Sequence, residues 1–152
     1  MNAKVLFSII VLTATISQFT MTTTVNAAAV PVARGTAIEA ATIANQTADI
    51  AIKAVHDFKA EVPIVDSITN ENREILRKHK IAMHDAQWHA FKSAYEASAA
   101  AANARALGDA EGANIADAAA IRAKAAANEA QKEASIIGGK LLTERGWVPM
   151  FE

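Results

Sequence analysis

The fourteen residues KHKIAMHDAQWHAF, Lys78 to Phe91, gather three histidines, an aspartate, a tryptophan and a phenylalanine in an otherwise alanine-rich chain. Metal binding is the first chemistry to test. His79, His84 and His89 recur every five residues. On a helix that spacing turns each side chain about 140° from the last, so the three point to different sides. A chelating helical pair needs spacing of three or four, as in His-Glu-x-x-His. Asp85 and His89 have that spacing but make only half a site, and the ordinary reading of the pair is a surface ion contact worth at most about 1 kcal/mol. No metal and no other cofactor is expected.

Catalysis needs a nucleophile, a base and an orienting acid brought together. Ser93 follows His84 in sequence but falls on another helix face, and no Gly-x-Ser-x-Gly elbow occurs. Gly138-Gly139-Lys140 is too short for a phosphate loop. A small hydrolase is therefore the weakest of the functional readings, and the chain is expected not to be an enzyme.

Helical projection shows a different pattern. Arg73, Arg77, Lys80, His84, Trp88, Phe91 and Tyr95 fall within about 80° of one another, in one line along a helix. An aromatic stripe at helical spacing ordinarily fills a core. The sharper reading is a partner site. Tryptophan, tyrosine and arginine are the residue types enriched where binding energy concentrates, and the basic end would meet an anionic group. Both hold together if Trp88 is buried and the basic end exposed. A second line, Ile68, Ile75, Leu76, Met83, Ala86, Ala90 and Ala97, runs beside the first, so the helix should pack between two others.

The elements that carry these residues are all helical. Thr36 and Glu39 have the spacing of a capping box and place a first helix from about Ala37 to Glu61, after a flexible segment 28–35. Its apolar side collects Ile43, Ile50, Val55 and Phe58, and Asp49–Lys53 and Lys53–Asp57 have favourable spacing. Val62-Pro63 ends it. A second helix starts among Asp66 to Asn70 and runs to about Leu107, where the acidic turn GDAEG, Gly108 to Gly112, breaks the chain. If the two glycines do not break it, the second and third helices merge into one rod. The third helix is expected over about Ala113 to Ile137, stopped by Gly138-Gly139, with a docking tail at 140–152.

Between Ala97 and Ala134, 19 of 38 residues are alanine, which favours helix but buries little area. Asn103 and Asn114, and Glu111, Arg122 and Glu133, recur at eleven residues, a spacing that favours slight right-handed coiling. Strand alternation and hairpin turn pairs are missing. The fold class is all-α: an elongated, alanine-rich, three-helix up-down-up bundle over 36–139.

The N-terminus sets the compartment. A basic start with Lys4, the apolar run VLFSIIVLTATI and the small residues Val25 and Ala27 form a secretory signal peptide, 1–27. Twelve apolar residues fall short of the roughly 20 that span a bilayer. With Lys4 removed, the 15 basic side chains become 14 against 16 acidic, so nothing draws the chain to nucleic acid. There are no cysteines; a small exported domain without disulfides must rely on helix packing or homo-oligomer formation. Asn45-Gln46-Thr47 is a glycosylation sequon, making Asn45 a candidate acceptor.

These features describe a secreted, extracellular, non-enzymatic helical protein that binds a macromolecular partner, an extracellular protein or receptor, with a glandular secretion such as saliva, venom or seminal fluid as the setting. The alternative is reversible binding to a lipid or membrane surface by an amphipathic helix, for which the mixed-charge polar face of the first helix is less suited than a basic one.

Overall fold

The computed structural model describes residues 29–61 and 70–143. The signal peptide 1–27, Pro63 with the Asp66 cap region, and the apolar tail from Gly146 to Glu152 lie outside these residues. The chain forms three helices, α1 Ala29–Glu61, α2 Asn70–Ala106 and α3 Ala110–Thr143, and the described residues contain no strand.

Cross-helix contacts fix the topology. Arg34 meets Asp109, Arg122 meets Asn45 and Asp49, and Lys59 meets Glu129, pairs separated by 75, 77, 73 and 70 residues. That near-constant offset means α1 and α3 run parallel. Between α1 and α2 the order reverses: Thr47 touches Ser93 while Glu61 touches His79. The bundle is therefore up-down-up, as the short connection between α2 and α3 requires.

The core is made of alanine. On α1 the buried residues are Ala33, Ala37, Ala41, Ala44, Ala48, Ala51 and Val55, at steps of three and four that keep one stripe on one side. Matching stripes run down α2 through Ala86, Ala90, Ala97, Ala101 and Ala104, and down α3 through Ala113, Ala116, Ala120, Ala123, Ala127 and Ala130. The larger buried side chains, Leu76, Met83, Val55 and Ile137, lie towards the α2 N-terminal end, with Phe58 and Leu141 packed against the cluster, as is Phe91 further along α2. Around the α2–α3 turn the cluster is Ala37, Ala101, Ala104, Ala113 and Ala116 alone. Methyl groups hold the helices together by close approach, many small dispersion contacts taking the place of a few large burials. The Thr47 and Ser93 hydroxyls bond to each other across the α1–α2 contact, and no buried side-chain polar atom among the described residues lacks a partner.

Several boundaries differ from those the sequence suggests. α1 begins at Ala29, so residues from Ala29 to Gly35 are helical and Thr36 is no cap: its hydroxyl donates to the Val32 carbonyl at 3.1 Å, inside the helix. Pro31 is tolerated because first-turn residues have no intrahelical acceptor for their N–H. Gly138 and Gly139 do not stop α3. The Lys80 side chain lies over Gly138, about where a Cβ would contact it, and burial of Ile137 beside it offsets the glycines' weak propensity. Ile43 and Ile50, expected inside, are 43% and 58% exposed while the alanines beside them are buried. Lys53 pairs with Asp57 as expected, but Asp49 is taken by Arg122.

The break between α2 and α3 is where the sequence placed it, and the two helices do not merge. Gly108 adopts φ +84°, the left-handed conformation that glycine adopts without strain. Asp109 N–H donates to the Ala104 carbonyl at 2.9 Å and Gly108 N–H to Arg105 at 3.1 Å, the two bonds of a Schellman ending. Asp109 then caps α3, its Oδ1 accepting the Gly112 N–H at 3.1 Å. Arg34 of α1 closes over the same carboxylate, Nη2 at 2.8 Å and Nε at 3.2 Å from Oδ1. One aspartate thus ends one helix, starts the next and ties both to the first.

Gly112 makes room for this arrangement. A Cβ there would collide with Asp109 Oδ2 and lie 3.1 Å from its Cγ. Gly112→Ala is therefore expected to lower the melting temperature although alanine is the better helix former. Gly35→Ala, on α1 where a Cβ meets nothing within 4 Å, should instead stabilise by up to about 1 kcal/mol. Thermal melts of both variants followed by circular dichroism check the opposite signs.

Candidate interaction surface

Because Leu76, Met83, Ala86, Ala90, Ala97, Ala101 and Ala104 turn inward, helical geometry fixes what turns outward. At 100° per residue the opposite side of α2 is centred on Trp88, with Ile81 and Tyr95 within about 20° of it. They are 63%, 58% and 78% exposed, in the order Ile81, Trp88, Tyr95. A small protein ordinarily buries side chains this large; here the alanine seam leaves them no room inside.

All seven residues of the predicted line lie on α2. Arg77, Lys80, His84, Trp88 and Tyr95 are exposed, Arg73 and Phe91 half-buried. The expectation that Trp88 fills the core is corrected: of the three aromatics, Phe91 packs against the core cluster, while Trp88 and Tyr95 do not. Lys92 holds its ammonium 5.9 Å from the Trp88 ring centre, and the His89 ring meets Trp88 edge-on at 5.6 Å. Arg77 reaches Glu74 at 4.0 Å, and Lys92 reaches Glu96 at 3.9 Å. Each is an exposed pair of little energetic weight. The Asp85–His89 pair does not form, which leaves Asp85 as an exposed carboxylate beside the tryptophan.

Two residues that complete the surface were not in the predicted line. Ile81 follows Lys80 in sequence and fell between the two lines drawn on the helix. Ile121 belongs to α3 and is 71% exposed; tertiary packing alone brings it to Phe91 and Tyr95. With Ala94, Ser98 and Lys124 these residues line an open groove of about 490 Å³ between α2 and α3. Asp117, at its polar rim, pairs with Arg105.

The other side of α2 is more polar. A groove of about 520 Å³ between α1 and α2 is lined by Ile50 and Ile75 among Lys53, Asp57, Glu61, Lys78 and His79. His79 Nε2 lies 2.9 Å from Glu61 Oε2, with its ring tilted against Phe58. The Lys53 ammonium, hydrogen-bonded to Asp57, holds that carboxyl below its ordinary range. No cluster of three or more histidine, aspartate or glutamate side chains capable of holding a metal occurs among the described residues.

The third seam, between α1 and α3, is closed by ion pairs. Lys59 sits between Glu133 at 3.0 Å and Glu129 at 3.2 Å, whose carboxylates raise its pKa. Arg122 bonds the Asn45 carbonyl at 3.2 Å, its Oδ1 at 3.3 Å, and Asp49. Asn45 therefore stands in mid-helix with its side chain engaged and the Thr47 hydroxyl of its sequon turned to Ser93.

These features define a class: a three-helix bundle with an alanine interior and large apolar side chains displayed on its outer faces. Comparison with known protein families, curated proteins and solved structures finds no match. No described helix is long and apolar enough to cross a membrane.

Proposed function

We propose that this chain is an exported, non-catalytic protein that acts by binding a macromolecular partner outside the cell through the outer face of α2. The observation that carries the reading is the placement of Ile81, Trp88 and Tyr95 on that face while alanines fill the interior. Aromatic side chains with free area and a charged rim make the densest contacts per residue. Arg77, Lys80 and His84 extend the same face with basic groups, suited to an anionic patch on the partner. Export rests on the three-part leader at 1–27, and a glandular secretion is the setting in which a small effector of this kind would act.

Affinity capture from the fluid or tissue that the protein meets tests the reading. Trp88→Ala with Tyr95→Ala should reduce retention of the partner at least about tenfold. Arg77→Glu with Lys80→Glu should also abolish it. Both variants should keep full helicity, since the altered side chains are exposed. Undiminished capture by both rejects the α2 face.

A second reading has an observation of its own. Val32, Ile43 and Ile50 are exposed along one side of α1, an aliphatic strip suited to resting reversibly on lipid. Co-sedimentation with vesicles, lost on Ile43→Asp with Ile50→Asp, would favour it over a protein partner.

A further inference from the structure

We infer that the outer face of α2 is self-complementary and pairs two copies of this chain antiparallel, with Trp88 packed on Trp88 at the centre. The inference rests on the reading of this face as a binding surface and names its partner as a second copy.

The spacing of the large side chains is symmetric. Ile81 lies seven residues before Trp88 and Tyr95 seven after, both on the midline of the exposed face. A twofold axis through Trp88 therefore brings Ile81 of each copy against Tyr95 of the other, with no large side chain left unmatched. Such a pairing is closed, the same patch serving both copies. Seven-residue spacing also keeps the contact line in register along both helices.

The flanking charges select the antiparallel direction. In an antiparallel pair each long edge of one helix meets the same edge of the other. On the edge facing α1 stand Lys78, Asp85, Lys92 and Glu96. Asp85 lies three residues before Trp88 and Lys92 four after; Lys78 lies ten before and Glu96 eight after. The axis therefore sets Asp85 of each copy beside Lys92 of the other, and Lys78 beside Glu96. Asp85, with no ion-pair partner among the described residues, gains one in the dimer. A parallel pair would instead bring Lys78 of one copy beside Lys80 of the other. On the opposite edge His84 meets Phe91 at the rim of the α2–α3 groove.

The contact is modest. Three large side chains per copy with the stems of their neighbours reach about the lower limit of specific interfaces, ~1,200 Å² in all. The dimer should therefore form in the micromolar range and dissociate on dilution.

Sedimentation velocity of the full chain, purified as its host processes it, tests the pairing from low micromolar to submillimolar concentration. The native protein should shift from monomer to dimer across that range. Asp85→Lys and Lys92→Asp should each weaken association about tenfold or more by setting like charges together at two symmetric places. The two changes in one chain should restore it. Trp88→Glu should leave a monomer with native helicity. A native protein that stays monomeric throughout, a dimer insensitive to Trp88→Glu, or failure of the double charge exchange to restore association each overturns the antiparallel pairing. If such a protein still captures another partner through Trp88 and Tyr95, self-pairing alone falls; if capture is also unaffected by those residues, the α2 face falls with it.

Discussion

Replacing Ala97 by leucine should destabilise the protein although it makes the core more hydrophobic. Ala97 has no exposed area and belongs to the same buried cluster as Ala44, Ala48, Ala120 and Ala123. Three more carbon atoms there have no cavity to occupy, so either the side chain leaves its preferred rotamer or the helices separate. Overpacking of this kind costs about 1–3 kcal/mol, occasionally more. A core held by close backbone approach sits at the upper end, because separating the helices loosens the methyl contacts along both neighbouring seams. Denaturant titration should show a lower midpoint. Unchanged or higher stability would mean that the helices are not held by alanine contacts. Leucine at Ala102, on the exposed side of the same helix, should be neutral within about 0.5 kcal/mol.

Loss of the Asp109 carboxylate should be felt by all three helices. Asp109→Ala removes the α3 cap and leaves Arg34 without the fork that ties α1 to the turn. The side chain has no exposed surface, so water cannot take over its bonds from outside. A fall in melting temperature of about 5 °C or more is expected. Asp109→Asn, which keeps a capping oxygen but loses the charge, should fall between. The same group sets an acid limit. The hydrogen bonds from Arg34 and then Gly112 N–H pull its pKa below the ordinary carboxylate value, against the opposing effect of desolvation. The folded state therefore holds this proton less readily than the unfolded state. The stabilisation is complete above the unfolded value, near 3.9, and is lost as pH falls through the lower folded value. Thermal melts from neutral pH to about pH 2 should show the native protein losing stability below about pH 4. Asp109→Ala should lose less over that interval, having already lost this contribution. Parallel pH curves for the two proteins would show that the carboxylate is not the linked group.

The elements were legible where a single local rule decides them. Glu61 ends α1 just before Val62-Pro63, and Gly108 breaks α2 from α3, because proline restricts its predecessor and glycine accepts a positive φ whatever surrounds them. The start of α1 was not legible. Thr36 and Glu39 have the spacing of a capping box, but α1 begins at Ala29, and burial of Ala33 and Ala37 favours continuing the helix through that point. Asp109 was visible only as part of an acidic turn. Its three roles depend on Arg34, 75 residues away, and no local pattern encodes that meeting.

Composition and periodicity alone determined an all-helical chain with breaks at identifiable residues, since helix propensity and turn chemistry are local properties. Which face of each helix is inside was decided by tertiary structure. Hydropathy alone favours burying Ile43, Ile50, Trp88 and Tyr95, yet alanine fills the interior, because helices that approach closely leave room for a methyl group and little more. The side chains excluded from that seam form the exposed outer faces of the bundle.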